Sequence, residues 1–142
     1  MAHKFRDLRV WQQAMDLVTD VYRLTHRFPQ HEQFGLTSQL RRAAVSIPLN
    51  IAEGAGSESP KEFKRFLDIA IRSTYETMTA IEIAVRLDYC EQTAVLPLID
   101  QADYIAAMIV KLSRNIQEHS DTKTVRELIV EYVTNTEMDT DD

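Results

Sequence analysis

Cysteine is almost missing from this chain: Cys90 is alone among 142 residues, so no internal disulfide can brace the fold and no pair of thiols is at hand for zinc. A reducing, cytoplasmic compartment is the expectation. Asp88 and Glu91 flank Cys90, and neighbouring negative charge disfavours a thiolate, so it reads as a packed cysteine and not a nucleophile. Three glycines and four prolines leave little material for the tight turns that hairpins need, which speaks against a β fold. Long hydrophobic runs are missing too. Lys4, Arg6, Asp7 and Arg9 interrupt the first eleven residues, so no signal-peptide core is expected there. The longest wholly apolar run, residues 105–110, falls far short of the ~20 that span a bilayer, and no membrane association is expected.

Catalytic and metal signatures are equally scarce. Paired-metal sites in helical bundles use Glu-x-x-His, and none of His3, His26, His31 and His119 has an acidic residue three positions before it. These histidines fall at expected helix ends or loops and read as surface residues. The turn Gly54-Ala55-Gly56-Ser57 could offer amides to a phosphate, but it has no phosphate-loop lysine and is flanked by Glu53 and Glu58; it reads as a simple turn. No enzyme, cofactor, metal or small-molecule substrate is therefore expected.

The charge is unevenly placed. A net -6 conceals 14 basic against 15 acidic residues up to 119, and 2 against 7 thereafter. The body is nearly neutral and the end of the chain acidic.

What the sequence has in plenty is apolar residues at helical spacing. Over residues 10–28, Val10, Ala14, Leu17, Val18, Val21, Leu24 and Phe28 recur every three or four positions, and Pro29 stops the run. Trp11, Met15 and Tyr22 widen that apolar arc and are candidate oligomer contacts. A second helix, capped by Thr37 or Ser38, should bury Leu40, Ala43, Ala44, Ile47 and Ile51, kink at Pro48 and end near Gly54 in a left-handed conformation. Ser59-Pro60-Lys61-Glu62 reads as a capping box with proline in the first turn. The third helix that it opens runs to about Asp88 and buries Phe63, Phe66, Leu67, Ala70, Thr74, Thr77, Ile81 and Ala84. Thr93 should cap a fourth, with a seam of Leu98, Ala102, Ile105, Ile109, Leu112 and Ile116, while Ile99, Ala106 and Val110 broaden its arc. Val125, Leu128, Ile129, Tyr132 and Val133 make one face of a short fifth helix, and from Thr134 onward an acidic, mobile tail is expected.

This predicts an all-α protein: an up-down antiparallel four-helix bundle over residues 1–119, and a C-terminal extension over 120–142 holding a short helix and an acidic tail. On the second helix Gln39, Arg42, Ser46, Asn50 and Glu53 form a polar stripe beside the apolar one. It can be a solvated face or a polar seam against another helix or subunit. On the third, Lys64, Asp68, Arg72 and Glu76 stand four apart with alternating sign, spaced to pair with one another. Arg41, Arg42, Lys61, Lys64 and Arg65 are the bases from which a nucleic-acid surface would have to be gathered, around a ring of copies.

The segments Phe5-Arg6-Asp7-Leu8-Arg9-Val10-Trp11-Gln12, Gly35-Leu36-Thr37-Ser38-Gln39-Leu40-Arg41-Arg42-Ala43-Ala44 and Ser46-Ile47-Pro48-Leu49-Asn50-Ile51-Ala52-Glu53-Gly54, with residues 63–73 and Glu76, resemble the small four-helix-bundle proteins associated with intervening sequences of bacterial 23S ribosomal RNA genes. The likeness spans about residues 4–118. It implies a homopentamer with no established enzymatic activity, and a more distant similarity to the accessory variability protein of diversity-generating retroelements, a basic pentameric barrel that binds nucleic acid and a reverse transcriptase. The expectation is thus a non-enzymatic, oligomeric adaptor whose partners are its own copies and an RNA or protein. Gln39, Arg41, Arg42, Ser46, Asn50 and Glu53 are the candidate contacts, and Glu76 a candidate ion partner for one arginine.

Overall fold

In the computed structural model, which describes residues 4–137, every regular element is helical. A 3-10 turn, Lys4–Asp7, leads into α1 (Arg9–Thr25). Then follow α2 (Leu36–Ala55), α3 (Pro60–Arg86), α4 (Gln92–His119) and α5 (Val125–Tyr132). Helices α1 and α3 each pack against both α2 and α4, placing α2 and α4 at opposite corners. Leu17, Leu40, Ile47, Leu67, Ile81, Ile105 and Ile109 meet in the middle and are wholly buried. Their spacing of three and four residues gives each helix one inward stripe.

Cross-helix hydrogen bonds mark the heights at which the helices meet. Near the start of α2, Arg41 reaches Thr25 at the end of α1, its Nε donating to the threonine hydroxyl at 2.8 Å. Ser46 and Ser73 share a hydrogen bond of 2.8 Å between α2 and α3. Lys64, early in α3, donates to the side chain of Gln117, late in α4. Gln101 of α4 donates to the backbone carbonyl of Gln13 in α1 at 3.2 Å.

Several local expectations hold. Ser59 caps α3, its hydroxyl accepting from the Glu62 amide at 3.1 Å, with Pro60 in the first turn. The Glu62 carboxylate, however, turns outward to Arg65 at 3.2 Å, so the capping box is only half made. Thr124 caps α5, and Val125, Leu128, Ile129 and Tyr132 are buried as one face.

Others are corrected. Neither Thr37 nor Ser38 caps α2. The Glu32 carboxylate, from the preceding loop, accepts from the Leu36 amide at 3.1 Å, while Thr37 is buried. Thr93 lies inside α4, whose cap position is held by Glu91 without a side-chain bond. Val95 takes the inward place at that end, leaving Leu98 half-buried, as is Phe66 in α3. Helix α2, with Pro48 inside it, runs past Gly54 and ends against Gly56 at φ -90°, so the expected left-handed end at Gly54 is not formed. Among the described residues the one positive φ outside glycine is Asp88, at 61°, just after α3, and no described glycine has one. Aspartate tolerates this conformation because its short polar side chain can bond locally. Gly54 is required for a different reason: a Cβ there would lie 2.8 Å from Cδ1 of Phe63 and 2.9 Å from Cβ of Phe66. It lets α2 and α3 touch.

The apolar run at residues 105–110 understates α4, which by length and composition is apolar enough to cross a membrane. Here its seam, Ala102, Ile105, Ile109, Leu112 and Ile116, is buried against the neighbouring helices. At the C-terminal end, residues expected in the mobile tail instead form a π turn, Val133–Glu137. Glu137 is buried, its carboxylate accepting from the Arg9 amide at 3.0 Å, and its carbonyl accepting from the Arg9 guanidinium at 3.1 Å. Burial pushes the Glu137 carboxyl above the usual carboxylate range against the pull of Arg9 and Lys111, and pushes Tyr132 up to about 12. The rest of the expected tail, residues 138–142, lies outside the described residues.

Candidate functional site on the second helix

Because Leu40, Ala44, Ile47 and Ile51 turn into the core, the opposite side of α2 faces outward with a period that the same 3.6-residue turn imposes. Two adjoining hollows open along it. The first, of about 600 Å³, is lined by Tyr22 of α1, by Phe34 in the loop before α2, and by Arg41, Arg42, Val45, Ser46, Leu49, Asn50 and Glu53. The second, of about 480 Å³, runs toward α3 and takes in Gln39, Arg42, Ser46, Ser73 and Glu76. All seven residues singled out for the contact surface therefore line one continuous stretch of surface, joined by Tyr22 from the oligomer set.

The two arginines differ. Arg41 is held down: its guanidinium carbon sits 4.5 Å above the Tyr22 ring while its Nε bonds to Thr25, an arrangement that fixes the charge against an aromatic face. Arg42 is exposed and forms no ion pair or hydrogen bond with another described residue. Glu76 lines the same hollow as Arg42 without pairing with it. Nor does the charge ladder on α3 close: Lys64 turns across to Gln117, and Asp68, Arg72 and Glu76 pair with no described residue.

The polar stripe of α2 splits between its two readings. Asn50 donates to the Ser46 carbonyl at 2.8 Å and to its hydroxyl at 2.9 Å, and Ser46 in turn meets Ser73 on α3. These three make a seam between α2 and α3. Gln39, Arg42 and Glu53 stay exposed.

Sequence reasoning missed the apolar half of this surface. Phe34 is 91% exposed and Leu49 56% exposed. For Phe34 the available signal was a bulky aromatic in a loop outside any helical stripe, and for Leu49 a position one step off the buried Pro48. Of the expected oligomer contacts, Met15 and Tyr22 are exposed. Trp11 is not free: it is half-buried against the core, with the Phe5 ring 5.2 Å away edge-on, because the turn Lys4–Asp7 folds back over it. The loop carrying Phe34 is pinned by the loop between α3 and α4. Tyr89 donates to Glu32 at 2.7 Å and contacts His31 at 3.3 Å. That hydrogen bond and the Leu36 amide lower the Glu32 carboxyl, and the same bond raises Tyr89. Burial raises the Cys90 thiol, in keeping with a packed cysteine. Among the described residues no group of three or more His, Cys, Asp or Glu stands together as a metal site.

A family model described as 23S rRNA-intervening sequence protein matches residues 6–111, from the turn before α1 through most of α4 and across the whole α2 surface. The chain belongs to this family. No curated protein matches it. Among solved structures, a crystal structure of a protein of unknown function from the S23 ribosomal protein family of Bacteroides thetaiotaomicron is similar, with a TM-score of 0.69 and 20% identity. The match covers 74% of this chain and 98% of that one. At that identity the likeness is one of fold.

In this chain the candidate nucleic-acid residues do not converge. Lys61, Lys64 and Arg65 line a separate hollow with Glu62, Asp68, Gln117 and Ser120. Arg65 is engaged with Glu62 and lies 4.5 Å over Phe66. That cluster stands beside Gly54, about twelve residues along α2 from Arg42, or roughly 18 Å at 1.5 Å per residue.

Proposed function

We propose that this protein is a non-enzymatic, self-assembling adaptor. Its four long helices form an up-down antiparallel four-helix bundle, and the outer face of α2 is its contact surface. The single observation behind this reading is that face itself: an open groove of about 600 Å³ in which Phe34 and Leu49 expose apolar surface between Arg41, Arg42 and Glu53. Contiguous exposed apolar surface rimmed by charge is the mark of an interaction site. Covering a side chain of this kind stabilises an assembly by about 1.5–3 kcal/mol. The antiparallel arrangement is supported by two of the cross-helix hydrogen bonds, Arg41–Thr25 and Lys64–Gln117, each joining the early part of one helix to the end of its neighbour, and by Gly54, late in α2, lying against Phe63 and Phe66, early in α3. The resemblance makes a homopentamer the expected stoichiometry, and the single cysteine, Cys90, supports a cytoplasmic setting.

Light scattering at micromolar concentration tests the reading. The expected species has about five times the 16.4 kDa of one chain, and Leu49→Asp shifts it toward smaller species without loss of helical circular dichroism. A wild-type protein that stays monomeric at tens of micromolar would refute self-assembly.

A further inference from the structure

Helix α2 carries Arg42, Ser46, Leu49 and Glu53 on its outer face at spacings of four, three and four. Helix α4 carries Asp103, Ala107, Val110 and Arg114 on its own outer face with the same spacings. Seven of the eight are exposed and Ser46 is half-buried. Along the chain direction the charges read plus then minus on α2, and minus then plus on α4. None of these four charged side chains hydrogen-bonds or ion-pairs with another described residue. Within one chain the two faces cannot meet, because α1 and α3 separate α2 from α4. Gly54, late in α2, lies against Phe63 and Phe66, early in α3, and Lys64, early in α3, bonds to Gln117, late in α4, so α2 and α4 run in the same direction, opposed to α3. A rotation axis running along the helices keeps that direction from copy to copy.

We propose that α2 of one copy docks side by side on α4 of the next, in the same direction. Arg42 then lies against Asp103, Leu49 against Val110 and Glu53 against Arg114, while Ser46 and Ala107, both small, let the helices approach. This rests on the self-assembly proposed above and adds which two faces meet. A contact between different faces is heterologous, and it closes into a ring when the rotation allows. Like charges brought together across it oppose assembly strongly, so each end of the contact selects its partner.

The test reverses charges in the full-length chain and reads mass by light scattering across a dilution series, with helical circular dichroism confirming the fold. Arg42→Glu is expected to raise the concentration needed for half-assembly by about tenfold or more. Adding Asp103→Arg to the same chain is expected to return it to within about threefold of wild type. Val110→Asp, on the opposite face of the contact, is expected to dissociate the assembly while leaving helicity intact. Arg42→Glu combined with Glu53→Arg should stay dissociated; recovery there would mean that α2 pairs with itself, and would overturn the proposal. So would wild-type assembly in Arg42→Glu and Val110→Asp, or failure of Asp103→Arg to rescue, and each of these leaves self-assembly standing. A wild-type monomer at these concentrations removes both readings together.

Discussion

Replacing Gly54 with alanine isolates the contact on which the α2–α3 packing depends. In a helix interior, alanine is favoured over glycine by about 1 kcal/mol, so a helix considered alone would gain from the change. The added methyl would stand 2.8 Å from Cδ1 of Phe63, 2.9 Å from Cβ of Phe66 and 3.2 Å from the Phe63 carbonyl oxygen. Phe63 is wholly buried, and the Cβ of Phe66 cannot move without its backbone, so relief requires α2 and α3 to separate. Overpacking of this kind costs about 1–3 kcal/mol. The net expectation is a loss of about 1 kcal/mol, or about 4 °C in Tm for a chain of this size, with Gly54→Val falling further. Gly56→Ala is the control. Its nearest neighbours would be carbonyl oxygens at 3.7 Å and its φ of -90° suits any residue, so it should be neutral or stabilise by about 0.4–1 kcal/mol. Thermal and urea unfolding followed at the helical circular dichroism band measure both. A Gly54→Ala protein that melts at or above wild type would show that the close approach carries no weight and that the reasoning is wrong.

Ser59→Ala removes the cap of α3 and should cost about 1 kcal/mol in urea unfolding, whereas Thr93→Ala, inside α4, should stay within about 0.5 kcal/mol of wild type. Glu137 faces Arg9, Lys111, Asp7 and Tyr132, and its carboxyl is raised in the folded chain. Its contribution is therefore complete below the unfolded-state value and is lost as pH rises through the raised one. Amides of α5 should exchange more slowly at pH 5 than at pH 7 after correction for intrinsic rates, and Glu137→Gln should flatten the difference. Binding of generic RNA to a single chain, as in the Leu49→Asp protein, should be weak and only shallowly dependent on salt, because its two basic clusters stand apart and each meets few phosphates; a filter-binding series from low to high salt checks it, and a steep slope would refute it.

Much of the architecture was legible in the sequence because helical periodicity is a local signal. The stripes through Leu40, Ile47, Ile51, Ile105, Ile109 and Leu112 point inward as spacing requires, and Ser59-Pro60-Lys61-Glu62 marks a helix start by residue types that bond within one turn. Three of the errors share one cause. The cap of α2 comes from Glu32, four residues before Leu36 and itself held by Tyr89. Trp11 is covered by a turn that folds back, and Glu137 anchors to Arg9 from the far end of the chain. Each depends on a partner that spacing along one helix does not reveal.

The chain by itself determined its helical class, its inward faces and the polar stripe of α2, since each follows from residue type repeated at a fixed turn. Tertiary packing alone decided that Gly54 serves contact and not a turn, that Arg41 is clamped over Tyr22 while Arg42 is left open, and that Lys61 and Lys64 lie far from both. Those outcomes depend on which helices become neighbours and at what height, and heights are set by the summed fit of many side chains, a property that no single segment contains.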